Sequence, residues 1–344
     1  MRVVIAPDGF GGTLSAPEAA AAIAAGWRRG APAHELLLRP LADGGPGFVD
    51  VLHTALGGDL RVSPVTGPTG EPVRARWLLV GETAYVESAE AAGLHLVHAE
   101  LRPRVCESTT TRGVGELVAA AVAAGAREVV IGLGGSATTD GGAGLVEALA
   151  GVDLGGVRLV AAADVENPLL GAHGAAAVFG PQKGADAAAV ARLERRLAAH
   201  ADDLAARTGR DPRDEPGAGA AGGLGFALLA LGATSTSGSA LVARATRLAD
   251  SVAGAGLVVT GEGSFDWQSL RGKLITAVAA AAAERAVPCI VLAGQVAVGR
   301  RRAASIGVAE AHAVADHAGS VEAAVAEPAR ALSALAEHVA RQWR

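Results

Sequence analysis

The 344 residues carry 30 Lys plus Arg against 35 Asp plus Glu, a net charge of −5, and half of them are hydrophobic. So balanced a chain offers neither a basic nucleic-acid face nor a polybasic membrane anchor, and no apolar run reaches the length of a membrane span. The length suits two domains.

In chain order, Met1-Arg-Val-Val-Ile-Ala-Pro-Asp8 opens with a buried strand over residues 2–6, too short a run for a signal peptide. A helix is expected over 16–29, with Ser15 and Glu18 spaced as a capping box. A strand at 35–39 and a helix at 46–57 follow. Three strands near 59–65, 73–80 and 84–88 then succeed one another without helices, among Pro64, Pro68 and a Gly-Pro-Thr-Gly turn. This change of rhythm marks the entry to an inserted domain. Beyond it the pattern predicts a helix over 112–124, a strand over 128–132, a glycine loop and a helix after Asp140. A strand at 157–163, a helix at 185–207 with an Arg-rich exposed face and a loop over 208–223 come next. Strands at 257–260 and 289–293 flank a helix at 272–286, and a last helix covers 319–341. Strands alternating with alanine-rich helices predict an α/β protein of two α/β domains with mostly parallel sheet. Residues 1–68 plus 255–344 form the first domain, and 69–254 form the inserted second. Cys106 and Cys289 lie far apart in no metal-like spacing, which predicts a reduced, cytoplasmic protein.

Five glycine-rich turns set an acidic or hydroxyl residue where a strand ends, the place where parallel α/β sheets bind ligands. They are Ala6-Pro-Asp8-Gly-Phe-Gly-Gly-Thr13, Leu41-Ala-Asp43-Gly-Gly-Pro-Gly47, Gly132-Leu-Gly134-Gly135-Ser136-Ala-Thr-Thr-Asp140-Gly-Gly, Ala162-Ala-Asp164-Val-Glu-Asn167, and Thr260-Gly-Glu262-Gly-Ser-Phe-Asp266-Trp-Gln268-Ser269. Asp8 and Asp43 read as ligands ahead of caps of their own turns, and Asp164 equally as either. The third turn matches the dinucleotide pattern G-x-G-x-x-A. The acidic residue wanted about 20 residues on comes late, as Asp164, so hydroxyls and amides for phosphate oxygens, with an aspartate for magnesium, fit better. In the fifth, Glu262, Asp266, Gln268 and Lys273 converge at a strand end. A Walker cradle is excluded, because Gly272-Lys273 is followed by Leu274. Of the 30 basic residues only Lys183 and Lys273 are lysine, both beside glycine. A lysine kept where arginine has taken every other place suggests a task for a compact ammonium on a flexible stem, such as following a transferring phosphoryl group.

Together these motifs resemble the bacterial glycerate kinase family. The resemblance extends to Phe179-Gly-Pro-Gln-Lys183-Gly-Ala and Pro216-Gly-Ala-Gly-Ala-Ala-Gly-Gly-Leu-Gly-Phe, and it spans the chain in the family's order. It implies ATP- and Mg2+-dependent phosphorylation of glycerate, usually giving 2-phosphoglycerate, on a two-domain α/β fold with one flavodoxin-like domain. Partners would be ATP and glycerate or a similar hydroxy acid, with no nucleic acid and no membrane. On that reading Lys273, Lys183, Asp164 and Asp266 are catalytic. Asp8, Asp43, Gly134, Gly135, Ser136, Arg112, Glu262 and Gln268 bind substrate or phosphate, and Asp140, Asp164 and Glu262 hold the metal. The chain departs from the family's usual Asp-Ser-Phe-Lys-Gly with Gly9 and Gly11, and from Asp-Gly-Gly-Glu-Gly-Thr with Pro46 and Phe48. Ser264 stands at a position often held by arginine, and Trp267 at one often small. Arg112 replaces a common tyrosine and is the candidate to restore the charge missing at Gly11.

Overall fold

The computed structural model describes residues 1–267, 269–270 and 274–343. By contact the chain divides into two compact units. One is built from Met1–Ala42, Asp50–Leu56 and Ser239–Arg344, the other from Asp43–Val49 and Gly57–Gly238. These limits differ from the expected boundaries at 68/69 and 254/255 chiefly over residues 57–68 and 239–254. The strands, in chain order, are β1 (Arg2–Ile5), β2 (Glu35–Leu38), β3 (Asp59–Thr66), β4 (Pro72–Val80), β5 (Thr83–Glu87), β6 (Glu128–Gly132), β7 (Arg158–Ala162), β8 (Thr234–Thr236), β9 (Leu257–Thr260), β10 (Ser264–Phe265), β11 (Cys289–Ala293), β12 (Gln295–Val296) and β13 (Val308–Ala313).

The first unit holds a sheet of order β13-β11-β9-β1-β2, parallel throughout. Its central strands are short β-branched runs with both faces covered: Val3, Val4, Ile5, Val258 and Val259 are all buried. The helix Ala16–Gly30 starts at the expected capping box. The Glu18 amide donates to Ser15 Oγ, and the Ser15 amide donates to the Glu18 carboxylate at 2.8 Å. Its inner face buries Ile23 and Trp27, whose indole N–H donates to His34 Nδ1 at 3.1 Å. Against it packs the helix Pro328–Ala340, close enough that Gly26 and Gly30 face the carbonyls of Ser333 and Glu337. The single helix expected at 319–341 is two, Val321–Ala326 and Pro328–Ala340, broken at Glu327. Pro328 is the cause, since it excludes the residue before it from helical geometry and cannot donate to a preceding turn.

The second unit carries a six-stranded sheet, β3-β4-β5-β6-β7-β8, antiparallel through β5 and parallel from β5 to β8. The strand run without helices is thus an antiparallel ribbon entering a parallel sheet. With aromatics scarce, the core is aliphatic. The helix Ala187–Thr208 buries Ala189, Leu193, Leu197, Ala201 and Leu204 at helical spacing, begins at Asp186, which accepts from the Ala189 amide, and ends at Gly209. The expected loop at 208–223 ends early. A helix Ala220–Ala230 begins inside it, with Ala221, Gly222 and Gly223 left-handed. Among the described residues no helix is long and apolar enough to cross a membrane.

A Cβ on Gly26 would fall inside the contact radius of the Ser333 carbonyl oxygen, which belongs to helix backbone and cannot swing away. Gly26→Ala is therefore expected to lower stability by about 2–3 kcal/mol despite the better helix propensity of alanine. Urea unfolding measures the loss, and a neutral or stabilising result would show that the two helices do not pack this tightly.

Candidate active site

In the first unit, β1 and β9 lie side by side and their exit loops stay together. The Asp8 amide donates to Gly261 O at 2.8 Å, and the Thr260 hydroxyl donates to Ala6 O at 2.8 Å. The Asp8 turn is closed by the Gly9 amide on Asp8 Oδ1 at 2.7 Å. Beyond β9 the chain runs through Glu262 into β10, which pairs in parallel with β12. The Ser269 hydroxyl donates to Glu262 Oε1 and accepts from the Asp266 amide at 3.2 Å, so Glu262 and Asp266 are tied into one turn. A cavity of about 440 Å3 opens between these loops. Gly9, Gly11, Thr13, Glu262, Ser264 and Gln295 line its polar part, and Val314, Val321, Ala324, Val325 and Leu332 its apolar wall. The amides of Gly11 and Gly12 have no acceptor among the described residues.

In the second unit, β5 through β8 deliver their carboxyl ends to one edge. Leu133 N–H donates to Ala162 O, and Ala163 N–H to Thr236 O. Asp43 sits there because Gly44 lets the loop approach: a Cβ on it would lie 2.7 Å from Ala162 O, and one on Gly134 would lie 2.6 Å from Gly45 Cα. Asp43 Oδ1 accepts from the Gly45 amide at 3.0 Å. Asp164, two residues past β7, accepts from the Ser237 hydroxyl at 2.6 Å. The amides of Gly134, Gly135 and Ser136 have no acceptor among the described residues, a disposition suited to an anion. The structure thus gathers Asp43, Gly134, Gly135, Ser136 and Asp164 on one edge.

Lys183 closes the short 3-10 turn Pro181–Lys183, and its ammonium is buried beneath this loop. It donates to Ser136 Oγ at 2.9 Å and to Thr138 O at 2.6 Å. Burial pushes its pKa from the ordinary 10.5 down to about 7, and the charge on Asp140 opposes the shift. Asp140 itself accepts four hydrogen bonds. Three reach Oδ2, from the Thr111 amide and hydroxyl, both at 2.8 Å, and from the Gly144 amide at 3.2 Å. One reaches Oδ1, from the Gly142 amide at 3.1 Å. Its carboxylate thereby fastens the loop to the start of the helix Arg112–Ala123.

Arg112 opens that helix and pairs with Glu116 at 3.2 Å and Glu147 at 3.7 Å. Among the described residues no three His, Cys, Asp or Glu side chains gather as a metal-ligand set. Asp140 and Asp164 belong to the second unit and Glu262 to the first. Gln268 and Lys273 lie outside the described residues. Three groups were not foreseen. Buried Glu87, at the end of β5, accepts from the Gly47 amide at 3.0 Å and the Val49 amide at 3.3 Å. Ser237 and Ser269 orient Asp164 and Glu262. A hydroxyl seven residues from its carboxylate (Ser269) or 73 residues from it (Ser237) gives no signal in sequence, but Glu87 ends a strand, as the motif carboxylates do.

A sequence profile of the glycerate kinase family matches residues 3–154 and 150–344. The glycerate kinase of Bacillus subtilis (strain 168) is 43% identical over 328 residues, covering 86% of this chain and 85% of that protein. The glycerate 2-kinase of Escherichia coli (strain K12) is 41% identical over 326 residues, with the same coverage of each. A crystal structure from Salmonella typhimurium LT2, provisionally designated glycerate kinase 2, superposes with a TM-score of 0.81 at 36% identity, over 100% of this chain and 98% of that one.

The depressed Lys183 pKa has a thermodynamic signature. Between about pH 7 and 10.5 the unfolded chain holds a proton on this lysine that the folded chain has released, so stability rises with pH across that window. The stability of the wild type minus that of Lys183→Met should climb from pH 7 to 9, with a limiting slope of about 1.4 kcal/mol per pH unit. Urea unfolding at pH 7, 8 and 9 measures it. A flat difference would place the lysine's pKa at its ordinary value.

Proposed function

Since the chain belongs to the glycerate kinase family and is a kinase, we propose that it transfers the terminal phosphoryl group of ATP to glycerate. The product proposed is 2-phosphoglycerate, and Mg2+ is the accompanying ion. The observation that carries the proposal is the recurrence, in each unit, of an acidic glycine-rich turn at the carboxyl ends of parallel strands, beside backbone amides without acceptors. Phosphoryl transfer needs positioning and charge neutralisation rather than covalent chemistry from the protein, and such turns supply both. The name of the Escherichia coli relative supports the 2-position.

The hard oxygen donors Glu262 and Asp266, tied into one turn, fit Mg2+, which takes one or two carboxylates and keeps its other positions for water and phosphate oxygens. When bound, the ion would neutralise charge on the phosphate oxygens. Asp164, oriented by Ser237, accepts the proton of the glycerate hydroxyl as its oxygen bonds to phosphorus and the bond to ADP breaks. Asp266 is the second candidate for that base. The amides of Gly134, Gly135 and Ser136, and of Gly11 and Gly12 in the first unit, suit carboxylate or phosphoryl oxygens, with Asp8 and Asp43 holding hydroxyls. Lys183 positions the Ser136 loop through its two hydrogen bonds, and Lys273 is the cation assigned to the transferring group. Free, buried Cys106 and Cys289 suit a reducing cytoplasm.

The test is a coupled ADP-release assay with ATP, Mg2+ and D-glycerate beside other hydroxy acids. Turnover of glycerate is expected, with kcat reduced about 100-fold or more in Asp164→Asn. Lys273→Arg should keep its melting temperature and lose kcat about 100-fold, because charge survives while reach does not. Turnover of another hydroxy acid alone would overturn glycerate as acceptor, and silence on every acid would overturn the kinase assignment for this chain.

A further inference from the structure

Trp267 stands two residues beyond β10 and is 55% exposed, whereas Trp27 and Trp77 are buried. One exposed indole is unremarkable by itself; what shares its groove sets it apart. Trp267, Leu270 and Val298 share with Arg300, Arg301 and Arg302 a groove of about 410 Å3 in the first unit. The groove is built by the ribbon. β10 pairs with β12, and the Ala297 amide donates to Phe265 O at 2.9 Å, so the chains leaving the two strands open together into its walls. Among the described residues no carboxylate pairs with Arg300, Arg301 or Arg302. Many other arginines of the chain are paired, including Arg2, Arg29, Arg112, Arg192 and Arg213. Three adjacent guanidinium groups without counter-charge repel one another and are relieved by a polyanion. An indole lining the same groove adds affinity for a flat ring.

A ring and a polyanion in one molecule describe a nucleoside polyphosphate, and a groove of this volume takes one nucleotide rather than a strand. Trp267 follows Glu262 by five residues, at most about 18 Å of extended chain. An extended ligand held here by its ring can therefore bring its far end to the carboxylate turn. We propose that this groove seats the nucleotide donor, with the base on Trp267 and phosphate oxygens on Arg300, Arg301 and Arg302. The inference rests on the phosphotransferase reading and names the donor's binding surface.

The test titrates the full-length protein, followed by tryptophan fluorescence, with ATP, adenosine and tripolyphosphate. Alongside it, KM values are measured for ATP and glycerate. ATP should quench emission in the wild type and not in Trp267→Phe. Trp267→Ala should raise the KM for ATP about tenfold and leave that for glycerate in place, with Trp267→Phe restoring most of the loss. The triple variant Arg300→Ala, Arg301→Ala, Arg302→Ala should weaken ATP and tripolyphosphate together and adenosine little. All these side chains are exposed, so unchanged melting temperatures serve as the folding control. Turnover with ATP whose KM is indifferent to both changes would overturn the groove and leave the kinase reading intact. Trp267-dependent ATP binding without phosphorylation of any acid would keep the groove and overturn the kinase reading. No ATP binding at all would overturn both.

Discussion

Direct backbone contact at glycine is the constraint on which the rest of this protein depends. With so few aromatic side chains, neither core can be filled by large rings, and the chain instead brings segments together until backbones touch. Gly44 on Ala162, Gly134 on Gly45 and Gly238 on Asp43 are all approaches that any Cβ would prevent. They place Asp43, the Gly134–Ser136 amides and Asp164 on one strand-end edge without a long side chain to span a gap. Polar groups held by backbone are oriented before any ligand arrives, which is the property electrostatic catalysis requires.

Lys183 shows the cost and the use of such close packing. The ammonium is buried, which favours its neutral form, yet its hydrogen bonds to Ser136 Oγ and Thr138 O and the nearby charge of Asp140 favour the cation. The space beneath the loop admits a narrow stem and a compact head. A planar guanidinium with five donors would leave several unsatisfied there. The structure thus gives a physical reason for a lysine at 183 that is separate from reach toward a phosphoryl group: compactness. Asp140 serves the same loop from the other end, two of its hydrogen bonds reaching Thr111 at the start of the helix Arg112–Ala123 and two the amides of Gly142 and Gly144 just beyond the aspartate.

The strands and long helices were legible because buried β-branched runs and the 3.6-residue spacing of Leu193, Leu197 and Leu204 are strong periodic signals. The carboxylates at strand ends were legible for the same reason, since finding the strand finds its end. β8, β10 and β12 escaped because strands of two or three residues have no period, and β13 escaped because Val308-Ala-Glu-Ala-His-Ala313 holds a single β-branched residue. The break at Glu327 escaped because the apolar stripe of the last helix continues past Pro328, and the stripe was read before the proline. Arg112 was read as a charge for a ligand, whereas the structure pairs it with Glu116 and Glu147, residues one turn away and on a separate helix. The Glu116 pair follows from i,i+4 spacing on one helix, whereas the Glu147 pair is set by a tertiary neighbour that such spacing does not reveal.

The departures from the family's usual motifs divide by what they touch. Phe48 is fully buried, edge-on to Tyr85 with ring centroids 6.4 Å apart, and Pro46 packs against Gly135, so these two are packing changes within the second unit. Gly9, Gly11 and Ser264 instead line the 440 Å3 cavity of the first unit, where Glu262 is the charged side chain among the described lining residues. A cavity lacking the lysine and arginine usual at 11 and 264 meets an incoming phosphate with a carboxylate, which repels it. On the proposed reading, a divalent cation held by Glu262 offsets that repulsion for anionic oxygens that reach the Gly11 and Gly12 amides. On that reading the substitutions that remove fixed positive charge leave more of the neutralisation to the ion than to side chains.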